Sequence, residues 1–262
     1  MKNFYSNIYS FNLRILKKTV KYLGQGNLVA IPTETVYGLA GNAYSKKAVK
    51  NIFKLKKRPK KNPLIIHYHN ISDAQKDVVF NKNFYLLYKK FCPGPLTFIL
   101  KKSKNSKITP FANSSLKTVA IRFPKNRIIR SVLKLIKFPL AMPSANLSSG
   151  LSPVNALDVF EDFKKKINII IDGGNASIGI ESTVVDLTSK PKILRPGIIT
   201  KSKLSRFLKI DLSNNKSTIK SPGMLKKHYS PGIPVILNKK PKYSNHAYIV
   251  FGKKFENYKN YF

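Results

Sequence analysis

Lysine outnumbers arginine 42 to seven in this chain of 262 residues. The few positions that keep arginine therefore mark places where a planar, forked donor is wanted and a point charge would not serve. Arg58, Arg122 and Arg195 each sit near a proline in a short, unusual segment. Arg122 ends the run Thr118-Val119-Ala120-Ile121, where a guanidinium can clamp a carboxylate through two parallel hydrogen bonds. Lys57, Arg58 and Asn62 occupy a loop stiffened by Pro59 and Pro63, a rigid cationic surface suited to a polyphosphate. Acids number only eleven, and Glu34, Asp172, Glu181 and Asp186 fall in segments of the same kind.

Other segments add to the set. Residues 31–40 empty from a strand end into Thr33, Glu34, Thr35 and Tyr37, and strand ends of α/β sheets are where ligands collect. Residues 142–150 run Met142-Pro143-Ser144-Ala145-Asn146 into further serines, whose side chains and backbone N–H groups can hold phosphate oxygens. Residues 172–186 combine acids and glycines before Arg195-Pro196-Gly197, and residues 221–231 are bracketed by prolines around His228-Tyr229. Taken singly, each has a plainer explanation: threonine caps at a strand-to-helix turn for 31–40, a solvated charge run for 54–61. His67 and His69 share one side of a strand without a third ligand nearby, so an imidazole that hydrogen-bonds a substrate fits better than a metal site. Neither the P-loop spacing nor Gly-x-Gly-x-x-Gly occurs, so any nucleotide must be held in another way.

The elements that must position these residues are written in the hydrophobic period. Leu13, Leu16, Val20 and Leu23 predict a helix stopped by Gly24 and Gly26. A buried strand follows at 28–31, then a turn around Gly38 to Gly41. Helices are expected at 46–57, 83–91, 127–137 and 154–164, interleaved with strands at 64–67, 97–101, 119–123, 140–142, 169–171, 183–187 and 192–194. That alternation indicates an α/β protein with a largely buried, mixed sheet. The polar stretch 211–227 reads as a linker, with two strand candidates beyond it at 235–237 and 247–251. The expected division is a main domain over 1–210, a linker or lid over 211–231, and a short C-terminal β-containing segment over 232–262, too small for a core of its own.

No stretch approaches the ~18 uninterrupted apolar residues of a membrane span, and the first ten residues lack the pattern of a signal peptide. The single Cys92 allows no internal disulfide, so a cytoplasmic location is expected. A net charge of +38 invites RNA, since neutralising phosphate is the main sequence-independent source of such affinity. The lysines are nevertheless spread along the whole chain, and a bland lysine coat explains them as well. A non-catalytic RNA-binding or ribosome-associated protein is the rival class, and it requires no small-ligand pocket.

In this order and at these separations the segments resemble the YrdC/Sua5 family of threonylcarbamoyl-AMP synthases, over about residues 11–231. The telling pieces are Pro32-Thr33-Glu34-Thr35-Val36-Tyr37-Gly38, Lys57-Arg58 with Asn62-Pro63-Leu64, Ala120-Ile121-Arg122-Phe123-Pro124, Pro143-Ser144-Ala145-Asn146, Glu181-Ser182-Thr183-Val184 and Arg195-Pro196-Gly197. The resemblance implies a YrdC-like twisted mixed β-sheet with flanking helices. It implies synthesis of threonylcarbamoyl-AMP from ATP, L-threonine and bicarbonate or CO2, with Mg2+ carried mainly by the ATP phosphates. By the same carry-over Thr35, His67, Arg122, Met142 and Ser182 hold threonine. Arg58, Asn62, Thr118, Ser144, Ser152 and Arg195 contact ATP, Tyr229 covers the nucleotide, Lys57 supports the cationic loop, and Asn146 adds a contact. The implied partners are tRNA or other RNA and the downstream tRNA threonylcarbamoyl-transferase machinery. Longer members of the family carry a complete second domain after the linker, whereas about 30 residues follow Pro231 here.

Overall fold

In the computed structural model, which describes residues 6–210 and 212–214, secondary structure runs β1 (Ile8–Ser10), α1 (Leu13–Gly24), β2 (Val29–Ile31), β3 (Gly38–Asn42), α2 (Lys46–Lys56), β4 (Ile65–His67), α3 (Ile71–Ala74) and β5 (Val78–Val79). It continues through α4 (Lys82–Phe91), β6 (Leu96–Lys102), β7 (Thr118–Arg122), α5 (Arg127–Leu135), β8 (Leu140–Ala141), α6 (Ala156–Phe163), β9 (Ile170–Asp172), β10 (Thr183–Asp186), β11 (Lys192–Arg195), α7 (Lys201–Leu208) and β12 (Ser213–Asn214). Contacts divide the chain into Met1–Ser230 and Pro231–Phe262, and every described residue lies in the first.

The strands form one sheet in the order β1-β9-β2-β3-β8-β4-β7-β6-β10-β11-β12, with β5 on β6. Parallel pairs such as β4 with β7 and β6 with β10 alternate with antiparallel ones such as β6 with β7. The expected mixed sheet is therefore present. Helix starts are set by short polar caps: Asn12 accepts from Ile15 N at 3.0 Å, and Asn155 with Asp158 closes a capping box on α6. That box places the start of α6 at Ala156, two residues after the sequence-based expectation.

Three expectations need correction. The glycines at 38–41 do not mark a turn: they belong to strand β3, because a Cβ at Gly38 would meet Met142 Cγ at 2.5 Å and one at Gly41 would meet Leu28 at 2.8 Å. Glycine here buys close approach between neighbours, not a reversal of direction. The second concerns only the start of the expected linker. Only Leu212–Asn214 of it is described, and Ser213 and Asn214 pair in parallel with Lys192 and Ile193, extending the sheet. The strand candidates at 235–237 and 247–251 lie outside the described residues. Third, β1, α3, β5 and α7 were not expected, the strands because they are two or three residues long and α7 because its period is interrupted by lysine and serine.

Alternation along the strands sorts their side chains onto two faces. Ala30, Ile66, Phe98, Leu100, Ile121 and Val185 join the main core with residues of α2, α4, α6 and α7. Val29, Ile31, Leu140 and Ile171 pack on the other face against Ile15 and Leu23 of α1 and Ile129 and Val132 of α5. Ile65, Ile99, Ala120 and Val184 form a small third cluster of strand residues only, apart from the main core. By parity His67, Thr97, Arg122 and Ser182 share the side of these four residues. No helix among the described residues is long and apolar enough to cross a membrane.

Candidate active site

Arg122 is the centre of this face. The β4–β7 register sets His67 beside it, and the β6–β7 register sets Thr97 on its other flank. Beyond Thr97 lies β10, where Val184 pairs with Thr97. Arg122 is buried and spends its donors locally: Nη2 on Glu34 Oε1 at 2.6 Å, Nη1 on Thr35 Oγ1 at 2.8 Å, and Nε on the Gly94 carbonyl at 3.4 Å. Glu34 Oε2 accepts from the backbone N–H groups of Lys125 and Asn126, which lead into α5. Burial alone would raise the Glu34 pKa, but the Arg122 charge and these hydrogen bonds outweigh it and hold the carboxyl below its usual range.

The same construction recurs on the far side. Arg195 donates through Nη1 to Glu181 Oε2, through Nη2 to Ser182 Oγ at 3.0 Å and through Nε to the Ser182 carbonyl at 3.0 Å. Between the two arginines lies a cleft of about 480 Å³, mouth included, lined by Thr35, Arg58, His67, Arg122, Met142, Ser144, Ser182 and Arg195 among others. His67 is fully enclosed there. Burial, and then the neighbouring Arg122 charge, pull its imidazole down to about 3, so it is neutral at ordinary pH.

A second cavity of about 380 Å³ adjoins the first and shares Arg58 and Ser144 with it. Asn62, Asn146, Ser148 and Ser152 also line it. Two polar atoms in this wall, Asn62 Oδ1 and Ser148 Oγ, are buried without a hydrogen-bond partner, an arrangement that favours a polar ligand to satisfy them. Arg58 is fixed by Nε on the Asn62 carbonyl at 3.0 Å and Nη2 on the Pro63 carbonyl at 2.9 Å, leaving Nη1 for the cavities. Burial and the nearby Arg195 charge bring its pKa down to about 10, despite the opposing effect of Glu181.

The lysine expected in the cationic loop is not the one that reaches the cavities. Lys57 takes a left-handed conformation, φ 51°, at the end of α2 and is exposed, lining neither cavity. The buried cation is Lys56, whose Nζ donates to the carbonyls of Ser144, at 2.6 Å, and Asn146, and to Asn146 Oδ1 at 3.3 Å. Helical spacing carried the signal, since Lys56 follows Ile52 by four residues on the inward face of α2. Asn146 itself is consumed in shaping its loop: it accepts from Ser144 Oγ at 2.7 Å and donates to the carbonyls of Leu147 and Gly150. Thr118 lines neither cavity. Extending the register from Ile65 and Ala120 sets it beside Pro63, next to Asn62. Tyr229 lies outside the described residues.

Comparison with known proteins covers the segments that build this geometry. A family model for Sua5, YciO and YrdC proteins, described as "Telomere recombination", matches residues 21–197. The chain belongs to the Sua5/YrdC family. A second model, described as "Threonylcarbamoyl-AMP synthase, C-terminal domain", matches residues 199–261. The threonylcarbamoyl-AMP synthase of Pyrococcus abyssi is 41% identical over 84% of this chain and 67% of its own length. That of Bacillus subtilis is 40% identical over 82% of this chain and 64% of its own. The chain thus spans about two-thirds of the length of these relatives. The crystal structure of P. abyssi Sua5 complexed with L-threonine superposes with a TM-score of 0.82 at 36% identity, covering 92% of this chain and 69% of that one. Within this Sua5/YrdC member, Thr35, Arg58, Arg122, Ser144 and Ser182, which come from five separate segments, share one cleft.

Proposed function

We propose that this chain is an L-threonylcarbamoyladenylate synthase, a nucleotidyltransferase that condenses L-threonine, bicarbonate or CO2, and ATP into threonylcarbamoyl-AMP and pyrophosphate. The observation that carries the reading is the pair of adjoining cavities with Arg58 and Ser144 in their common wall. One has buried arginines, hydroxyls and a neutral imidazole, with Arg122 suited to the carboxylate of a small amino acid. The other has hydroxyls, amides and cations, which suit phosphates.

In this reading Arg122 takes the threonine carboxylate, while Thr35, His67, Met142 and Ser182 surround the remaining groups. Arg58, Asn62, Ser144, Ser152 and Arg195 receive the nucleotide, with Thr118 beside their loop. The threonine amine adds CO2 and loses a proton to give a carbamate. A carbamate oxygen then attacks the α-phosphorus, and the bond to the pyrophosphate leaving group breaks. No protein nucleophile is needed. The work of the chain is to hold two anions in contact and to meet developing charge with fixed donors. No cluster of three His, Cys, Asp or Glu suited to a metal occurs among the described residues, and no carboxylate lines the second cavity. In this reading Mg2+ enters with the nucleotide, held mainly by its phosphates and water.

The outer part of the proposal is a cytoplasmic enzyme of tRNA threonylcarbamoyl modification whose lysine-rich surface contacts tRNA and whose product passes to the transfer machinery. The domain division proposed with it is 1–210, 211–231 and 232–262. The test is pyrophosphate release by purified protein with threonine, with serine and with no amino acid, each with and without bicarbonate. Release is expected only with threonine and bicarbonate together. Turnover independent of threonine would overturn the assignment, and RNA binding without any turnover would favour the rival class.

A further inference from the structure

Glu34 and Glu181 are not among the residues assigned to either substrate, yet they occupy equivalent places in two copies of one device. In each copy a glutamate and the hydroxyl residue that follows it grip a strand-end arginine, Arg122 from a remote segment and Arg195 from the adjacent strand. Glu34 and Thr35 take Nη2 and Nη1 of Arg122. Glu181 and Ser182 take Nη1 and Nη2 of Arg195. Each Nε is spent on a backbone carbonyl, that of Gly94 or of Ser182. Each hydroxyl is itself backed by a threonine: Thr35 by Thr33 at 2.8 Å, Ser182 by Thr97 at 2.7 Å. The sequence carries the duplication in outline, as Glu34-Thr35 followed by Val36 and Glu181-Ser182 followed by Thr183-Val184.

The donor count gives this construction a consequence. A guanidinium has five N–H bonds, and three are engaged here in both arginines. One N–H remains on each terminal nitrogen, the pair that a carboxylate or phosphate takes in parallel. Without the glutamates, Arg58, Arg122 and Arg195 would repel one another across a cleft of about 480 Å³ and turn toward water. With them, each fork is fixed in direction and its charge is offset before the substrate arrives.

Resting on the proposed activity, we propose that Glu34 and Glu181 are positioning residues, each dedicated to one arginine and through it to one substrate: Glu34 to the amino acid and Glu181 to the nucleotide. Glu181 is suited to the second role because Ser152 of the nucleotide cavity also donates to it, at 3.3 Å. Neither glutamate touches the reacting atoms in this scheme.

The experiment compares wild type, Glu34→Gln, Glu181→Gln and Asp77→Asn in the full chain. Asp77 is a fully buried acid outside the cleft, held by Tyr44, Tyr68 and Ser106, and serves as the purely structural comparator. Glu34→Gln is expected to raise KM for threonine at least about tenfold, in line with loss of a charge-assisted hydrogen bond, with a much smaller change in KM for ATP. Glu181→Gln is expected to show the opposite split. Asp77→Asn is expected to lower the melting temperature without favouring either substrate. If the two glutamate variants shift both KM values together, in step with their loss of melting temperature, or shift neither, the positioning role is wrong. If wild type itself does not turn over, the proposed activity fails instead, and calorimetric titration of each variant with threonine and with ATP reads the same crossed pattern independently.

Discussion

Lys56 shows how far one side chain can organise the site. Its three contacts are all acceptors: two carbonyls and Asn146 Oδ1. They match the three N–H bonds of an ammonium, one more than a neutral amine offers. Burial opposes that charge, and with Arg58 nearby the pKa falls from 10.5 to about 7. Between these two values the unfolded chain keeps a proton that the folded chain releases, so this group makes stability rise with pH, by up to about 1.4 kcal/mol per unit for one proton. Below about pH 7 both states are protonated and the slope from this group ends. Replacing Lys56 with Met removes the titration and strands three acceptors, at a cost of roughly 1–3 kcal/mol. Denaturation midpoints of both proteins between pH 7 and 10 check this: the wild-type curve is expected to climb relative to the variant. Parallel curves would mean that Lys56 does not titrate in that window.

At the scale of elements, the site depends on approaches that only small residues permit. Strand β3 passes so close to Met142 that Gly38 has no room for a methyl group, and Gly38 also bridges to Ser144, which both cavities share. Gly38→Ala is expected to cost about 1–3 kcal/mol by overpacking. The loss should be smaller when Met142 is also cut to Ala, because the pair is in contact and does not add independently. Thermal denaturation of the two single variants and the double variant measures that coupling, and simple additivity would show that the clash is relieved elsewhere. This position also shows what sequence could and could not reveal. The period of apolar residues disclosed nearly every strand and helix that carries the site, since Ile65, Phe98, Ile121 and Val185 are buried for the reason they are apolar. It could not tell a glycine required by a neighbour from one required by a turn, because the neighbour, Met142, is more than a hundred residues away. Lys56 and Lys57 are likewise indistinguishable by type, and only the rotation of α2 decides which one is buried. Thr35, Arg58, Arg122 and Ser144 stood out by residue type and segment in a lysine-biased chain, whereas Ser182 was reached only through the resemblance to the family; that all five line one cleft follows from packing, which the sequence does not display.

Over the whole molecule, charge is distributed very unevenly for a protein that handles small ligands. Residues 78–157 contain no acidic side chain at all, and the chain as a whole carries +38. Glu34 and Glu181 by the cleft each neutralise one arginine, so the long-range field comes from the lysine excess. Such a field draws polyanions toward the protein and raises their rate of encounter, and it is screened as the Debye length falls from ~30 Å at 0.01 M salt to ~10 Å at 0.1 M. A zwitterionic amino acid feels little of it. In the proposed reaction kcat/KM for ATP is therefore expected to fall steeply with added salt, while kcat/KM for threonine, measured at saturating ATP, changes much less. Steady-state kinetics over that range, with melting temperature followed in parallel, separates the two effects. An equal decline for both substrates would assign the salt effect to the fold, and a flat response for ATP would reduce the lysine excess to a solubilising coat without a part in substrate capture.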